Sequence, residues 1–131
     1  MAYKEIEVIL SRQLASSLAT PVFIVDPHGT LVYYNEPAEG ILGHRFEETG
    51  EVPLAEWSTV YAATDELGEP IPPSKLPLVV ALTVKRPAHM GFWIMGRDNV
   101  RRHIEVTAFP LLAQADTSLG AIAIFWEDRA R

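Results

Sequence analysis

The sequence predicts an α+β fold, with strands in the first quarter and last third of the chain and helices gathered between them. Three observations predict it. Two short apolar runs, Val22–Val25 and Leu31–Tyr34, flank the turn-forming stretch Asp26-Pro27-His28-Gly29. A middle segment carries apolar residues at helical spacing, broken up by Pro and Gly. The last third holds three runs of strand-forming residues, HMGFWIM, RHIEVTAF and GAIAIFW.

The elements follow in order. Residues 4–18 place Ile6, Ile9, Leu10, Leu14 and Leu18 on one stripe, with Lys4, Glu7, Arg12 and Gln13 elsewhere. We therefore expect an N-terminal amphipathic helix within residues 1–20, ended by Pro21, and a compact domain over 21–128. The helix is too short and irregular for a long coiled coil, and its apolar face needs a cover. After the first strand, Asp26 can accept backbone N–H bonds, Pro27 presets φ, and Gly29 tolerates a positive φ. Asn35 stands where a helix N-cap belongs, Pro37 fits the first turn and Gly43 the stop, which predicts a short helix over Glu36–Leu42. Over residues 44–73, Trp57, Val60 and Tyr61 share helical spacing between prolines, predicting one or two helical turns and a loop. Ser74 is expected to cap a clearer helix over Lys75–Lys85, with Pro77 tolerated in its first turn and Pro87 enforcing the exit.

Among the last three strands, the middle one alternates cleanly. Ile104, Val106 and Ala108 fall on one face, and His103, Glu105 and Thr107 on the other. The first two are joined by Arg97–Val100, where Asn99 suits a left-handed turn position. The last strand is apolar throughout from Ala121 to Trp126, as is Val22–Val25. Strands apolar on both sides must be covered on both sides. One side suits the middle helices. The other requires the N-terminal helix, a partner chain, or both.

Composition narrows the function. A chain of 131 residues suits one domain. It has no cysteine, which excludes disulfides, thiolate metal sites, cysteine nucleophiles and a cysteinyl adduct to a cofactor. That is compatible with a reducing cytoplasm, the expected location. No apolar run reaches the ~20 residues of a membrane span, and the first residues lack a signal-peptide pattern. The net charge of −6 argues against sequence-independent nucleic-acid binding. Nine acidic residues and one basic residue, Arg45, lie between Glu36 and Glu69; six basic residues and one acidic residue, Asp98, lie between Lys75 and Arg102. Two solvated faces account for this. Contact between the acidic half of one molecule and the basic half of another is the alternative.

Several motifs resemble those of one family. VDPHG is similar to a D-x-x-G turn after a first strand. Asn35, Ala38 and Gly43 match an N-x-x-A-x-x-x-x-G segment. Gly68, Pro70, Ile71, Pro77, Leu78, Ala81 and Leu82 match a G-x-P-[LI]…P-[LIV]…A-[LIV] passage, and VTAFPL followed by LGAIAIFWED resembles a closing pair of strands. Together, over residues 18–128, they resemble the bacterial sensory PAS family. The resemblance implies a five-stranded antiparallel sheet with short helices cradled on one face. Asp128-Arg129-Ala130 keeps only the Asp of the family's common Asp-Ile-Thr coupling segment, Asp98-Asn99 replaces its Asp-Gly hairpin, and the cysteine motif of its flavin-photoreceptor branch is absent.

The resemblance further implies a pocket between the sheet and the middle helices. Its expected lining is Trp57, Tyr61 and Leu82 from the helices, and Phe92, Ile94, Ile104, Val106 and Phe125 from the sheet, with Trp93 and Met95 facing outward. Large aromatic residues also simply fill cores; a buried Trp or Tyr nonetheless needs a partner for its polar atom. The expected outer, dimer-forming surface is Ile6, Ile9, Leu10, Leu14 and Leu18 with Ile122, Ile124 and Trp126. The expected function is a sensory or regulatory module, homodimeric, binding a small and mostly apolar ligand and acting on an effector domain or protein partner. The alternatives are a ligand-free dimerisation module and, last, a small α+β enzyme or carrier. No serine elbow, His-Glu-x-x-His or phosphate loop occurs. His28, His44, His89 and His103 are never spaced i, i+3 or i+4, so no helical metal pair forms, and no metal is expected. His89 lies near where haem-binding relatives place an axial ligand, so haem through His89 stands as an outside alternative, with flavin another.

Overall fold

The computed structural model describes residues 18–130. Five strands make one sheet: β1 (Val22–Val25), β2 (Leu31–Tyr34), β3 (Ala88–Met95), β4 (Arg101–Leu112) and β5 (Ser118–Glu127). Their order across the sheet is β2-β1-β5-β4-β3, and every neighbouring pair is antiparallel. This is the α+β arrangement expected. The first and last strands pair at its centre, Val22 opposite Ile124 and Val25 opposite Ala121.

The β1–β2 turn forms as its residues dictate. The Asp26 Oδ1 accepts from the backbone N–H of His28 and Thr30 at 2.9 and 3.0 Å, and Gly29 takes a φ of 86° that an L side chain disfavours. Asn35 then caps α1 (Glu36–Leu42): its Oδ1 accepts from Ala38 N–H at 3.2 Å. The same oxygen accepts from Val22 N–H, and the Asn35 amide donates to the Thr20 carbonyl at 2.8 Å. One buried side chain thus ties the incoming chain, β1 and α1 together.

The middle segment holds α2 (Phe46–Thr49) and α3 (Leu54–Val60). A third helix, α4, departs from expectation. It spans Pro77–Val84, and Ser74 belongs to a separate 3₁₀ turn, Pro73–Lys75. The cause is Pro77. Its ring disfavours helical geometry in the residue before it, and Leu76 is extended at φ −66°, ψ 138°. A helix cannot run through that point, so Pro77 opens it instead. The exit comes at Lys85, left-handed at φ 63°, before Pro87 is reached.

The β3–β4 hairpin turns at Asn99, whose φ is 63°. Arg102 braces it, donating to both Asp98 carboxylate oxygens at 3.2 and 2.8 Å and to the Ile41 carbonyl. That hydrogen bonding holds the Asp98 carboxyl down at about 2.

Both faces of the sheet carry apolar clusters. The inner one joins Phe23, Tyr34, Phe92, Ile104 and Phe125 to Trp57, Tyr61, Leu78 and Ala81 from the helices. The outer one contains Val22, Ile24, Val32 and Ile122, with Tyr33, Phe109, Leu111 and Ile124 packed against it, and every member lies on a strand. The expected helix bearing Ile6, Ile9, Leu10 and Leu14 lies outside the described residues. Leu18 is exposed and belongs to no regular element.

Candidate functional site

A cavity of about 80 Å³ lies between the inner sheet face and the helices. Trp57 and Tyr61 wall it from the α3 side, and Phe92, Ile94, Ile104, Val106 and Phe125 from the sheet. Alternation along β3 places Phe92 and Ile94 inward and leaves Met95 exposed. Leu82, expected in the wall, is not there. Because α4 begins at Pro77, its first turn and the residue before it overlie the cavity, supplying Leu76, Pro77 and Leu78. Leu82 sits one turn further on, where its side chain faces Gly29 in the β1–β2 turn. Phe23, Leu42, Ser58, Ala63 and Ala123 complete the lining. Phe23 and Ala123 were findable from the sequence, since they share alternation phase with Val25 and Phe125. Leu76 and Leu42 depend on helix boundaries.

The aromatic lining interlocks. Phe23 meets Trp57 edge-on at 5.4 Å and stacks on Tyr34 at 6.0 Å, and Tyr34 in turn meets Phe46 edge-on. The polar atoms of Trp57 and Tyr61 find partners inside the protein. Trp57 Nε1 donates to the Gly29 carbonyl at 2.7 Å, and the Tyr61 hydroxyl bonds His44 Nε2 at 2.8 Å. Neither residue therefore needs a ligand to satisfy it. The other His44 nitrogen meets Thr49 Oγ1 at 2.9 Å, and Tyr34 donates its hydroxyl to the His44 carbonyl. Burial pushes the Tyr61 and Tyr34 hydroxyls up and the His44 imidazole down. All three shifts favour the uncharged forms of this hydrogen-bonded group, which meets the cavity through Tyr61.

The cavity is small for the larger cofactors. A void of ~150 Å³ holds benzene, and this one is about half that. A haem or flavin ring system does not fit it in this arrangement. His89 is also misplaced for haem. Strand β3 begins at Ala88, and alternation turns His89 to the outer face, where it bonds Thr107 and Glu105 at 2.7 and 2.9 Å. On that outer face Ile122 is buried, Ile124 is half-buried, and Trp126 is exposed with its ring tilted against His89.

No protein-family model matches the sequence, and no curated protein does. Solved structures do. The PAS domain of a protein from Colwellia psychrerythraea is 15% identical, covers 94% of this chain and 99% of its own, and has a TM-score of 0.66. The PAS domain of nitrogen regulation protein NR(II) from Vibrio parahaemolyticus is 17% identical over 91% of this chain and 98% of its own, with a TM-score of 0.61. A LOV protein from Rhodobacter sphaeroides is 16% identical over 95% of this chain and 68% of its own, with a TM-score of 0.70. Sheet order, helix placement, cavity and these likenesses agree: the chain has the PAS fold.

Proposed function

We propose that this chain is a non-catalytic sensory module that takes a small, mostly apolar molecule into the cavity and signals through the outer sheet face. The observation that carries this reading is the cavity itself, walled by Phe23, Phe92, Ile104, Val106 and Phe125 and edged by Ser58 and Tyr61. Such a wall suits an apolar body with one or two polar atoms. At about 80 Å³ the occupant is very small, or it displaces side chains on entry. The outer apolar cluster supports a homodimer contact there, with an effector domain or protein as the downstream partner. Binding would act by favouring one of two arrangements of that contact. The PAS domain of a nitrogen regulation protein among the similar structures is consistent with this role.

Native mass spectrometry of the full chain, purified gently from its own host, tests the ligand. A retained organic molecule is expected. Ala123→Ile, which fills the cavity from the sheet side, should abolish retention while the melting temperature holds. No retained molecule, or equal retention in the filled variant, would favour the alternative of a ligand-free dimerisation module.

A further inference from the structure

The outer faces of β3 and β4, with the end of β5, hold a second constellation. His103 is only 2% exposed, and neither ring nitrogen has a hydrogen-bond partner. Such an orphaned buried group demands a physical reason. Carboxylates approach both nitrogens without making those bonds. Glu105 Oε2 and Asp128 Oδ2 each lie 3.8 Å from Nδ1, and Glu66 Oε1 lies 3.3 Å from Nε2.

The surroundings hold these groups in place. The Asp128 N–H donates to the His103 carbonyl at 2.8 Å, fixing Asp128 beside it. Trp93, opposite His103 in the β3–β4 register, sets its ring edge-on at 5.0 Å. Glu105 has one oxygen, Oε1, bonded to His89, whose other nitrogen is bonded to Thr107, so Oε2 is aimed at His103. Opposite Glu105 stands Gly91, and a Cβ there would overlap the Glu105 carboxylate. Glycine at that position clears the space the carboxylate occupies.

We propose that His103 Nδ1, Glu105 Oε2 and Asp128 Oδ2 form a binding site for a divalent transition-metal ion. Their ligating atoms lie within 4.8 Å of one another. Bonds of about 2.0–2.2 Å to Zn²⁺ place tetrahedral ligand atoms roughly 3.3 Å apart, so small side-chain movements close the site. One imidazole with two carboxylates and no thiolate suits Zn²⁺, Co²⁺ or Mn²⁺. Three protein ligands leave a position open to water or a further ligand. With the ion bound, a small movement of Glu66, 3.3 Å from Nε2, would let it accept the Nε2 proton as an outer carboxylate, and His89 holds Glu105 through Oε1. The site is independent of the proposed ligand cavity, which lies on the other face of the sheet.

The test uses the full chain, stripped with EDTA and dialysed, then titrated calorimetrically with ZnCl₂ at pH 7.5. One ion per chain is expected. Glu105→Gln and His103→Asn should each weaken binding at least tenfold, and Glu66→Gln by about tenfold as an outer-carboxylate loss. Co²⁺ should give visible absorption that disappears in Glu105→Gln, a near-isosteric change whose fold is checked by circular dichroism. No uptake at millimolar Zn²⁺ would overturn the site. Uptake of equal strength in the original chain and Glu105→Gln would place the ion elsewhere and overturn it too.

Discussion

Asn35 carries more structure than its role as a cap requires. Its buried side chain receives two backbone N–H bonds and donates to a third backbone group. Asn35→Ala should therefore cost more than an ordinary cap loss, about 2–4 kcal/mol in urea unfolding, because Val22 N–H and the Thr20 carbonyl lose their partner as well. Trp57 makes a similar point. The sequence identifies it as a buried aromatic in need of a polar partner. Its partner is the Gly29 carbonyl, 28 residues away, a contact no local pattern encodes. Trp57→Phe keeps most of the packing and orphans that carbonyl, so a loss of about 1–3 kcal/mol is expected from the same measurement. His103 was legible only as a residue on the polar side of a strand. Its burial arises from Trp93 on the neighbouring strand and Glu66 on a distant loop, neither visible in its own periodicity.

At the scale of elements, strands and turns were the most readable parts. Asp26, Gly29, Asn35, Gly43 and Asn99 each announce a conformation that only a few residue types accept. Ser74 looks like a cap, but Pro77 decides the geometry three residues later, so α4 starts later than its sequence suggests and Leu82 lies outside the cavity wall. The segment around α2 and α3 is knitted by His44, whose two ring nitrogens reach Thr49 and Tyr61. Burial lowers the His44 pKa below its ordinary 6.5. Below that value the unfolded chain binds more protons at this residue than the folded one. Stability is thus fully present above about pH 6.5 and falls as pH drops toward the lower folded-state value. The urea midpoint should be lower at pH 5 than at pH 7.5, and His44→Gln should shrink that difference. An unchanged pH dependence in the variant would assign the effect to another group.

For the whole molecule, the sheet carries an apolar cluster on each side, the outer one centred on β1, β2 and β5, as the unbroken runs in β1 and β5 require. The inner cover was predictable, since helices follow β2 with short connections. The outer face is the proposed homodimer contact. Ile124→Arg places a charge among Val22, Ile24 and Ile122. Light scattering should show the mass of the full chain falling from dimer to monomer at micromolar concentration, with near-ultraviolet circular dichroism retained. An undiminished mass, or a monomer in the original chain, would overturn the proposed contact on this face.

The pairing of β1 with β5 also brings the way in and the way out of the sheet together. The Pro21 carbonyl accepts from Phe125 N–H at 3.1 Å, so the entry to β1 and the exit from β5 lie side by side. Joining them through a short Gly/Ser bridge and reopening the chain at exposed Leu67 should yield a permuted protein with an intact sheet. About a hundred residues separate Val22 from its partner Ile124, so the β1–β5 seam carries the closure cost of a long loop, and β1 stays without this neighbour until β5 has been made.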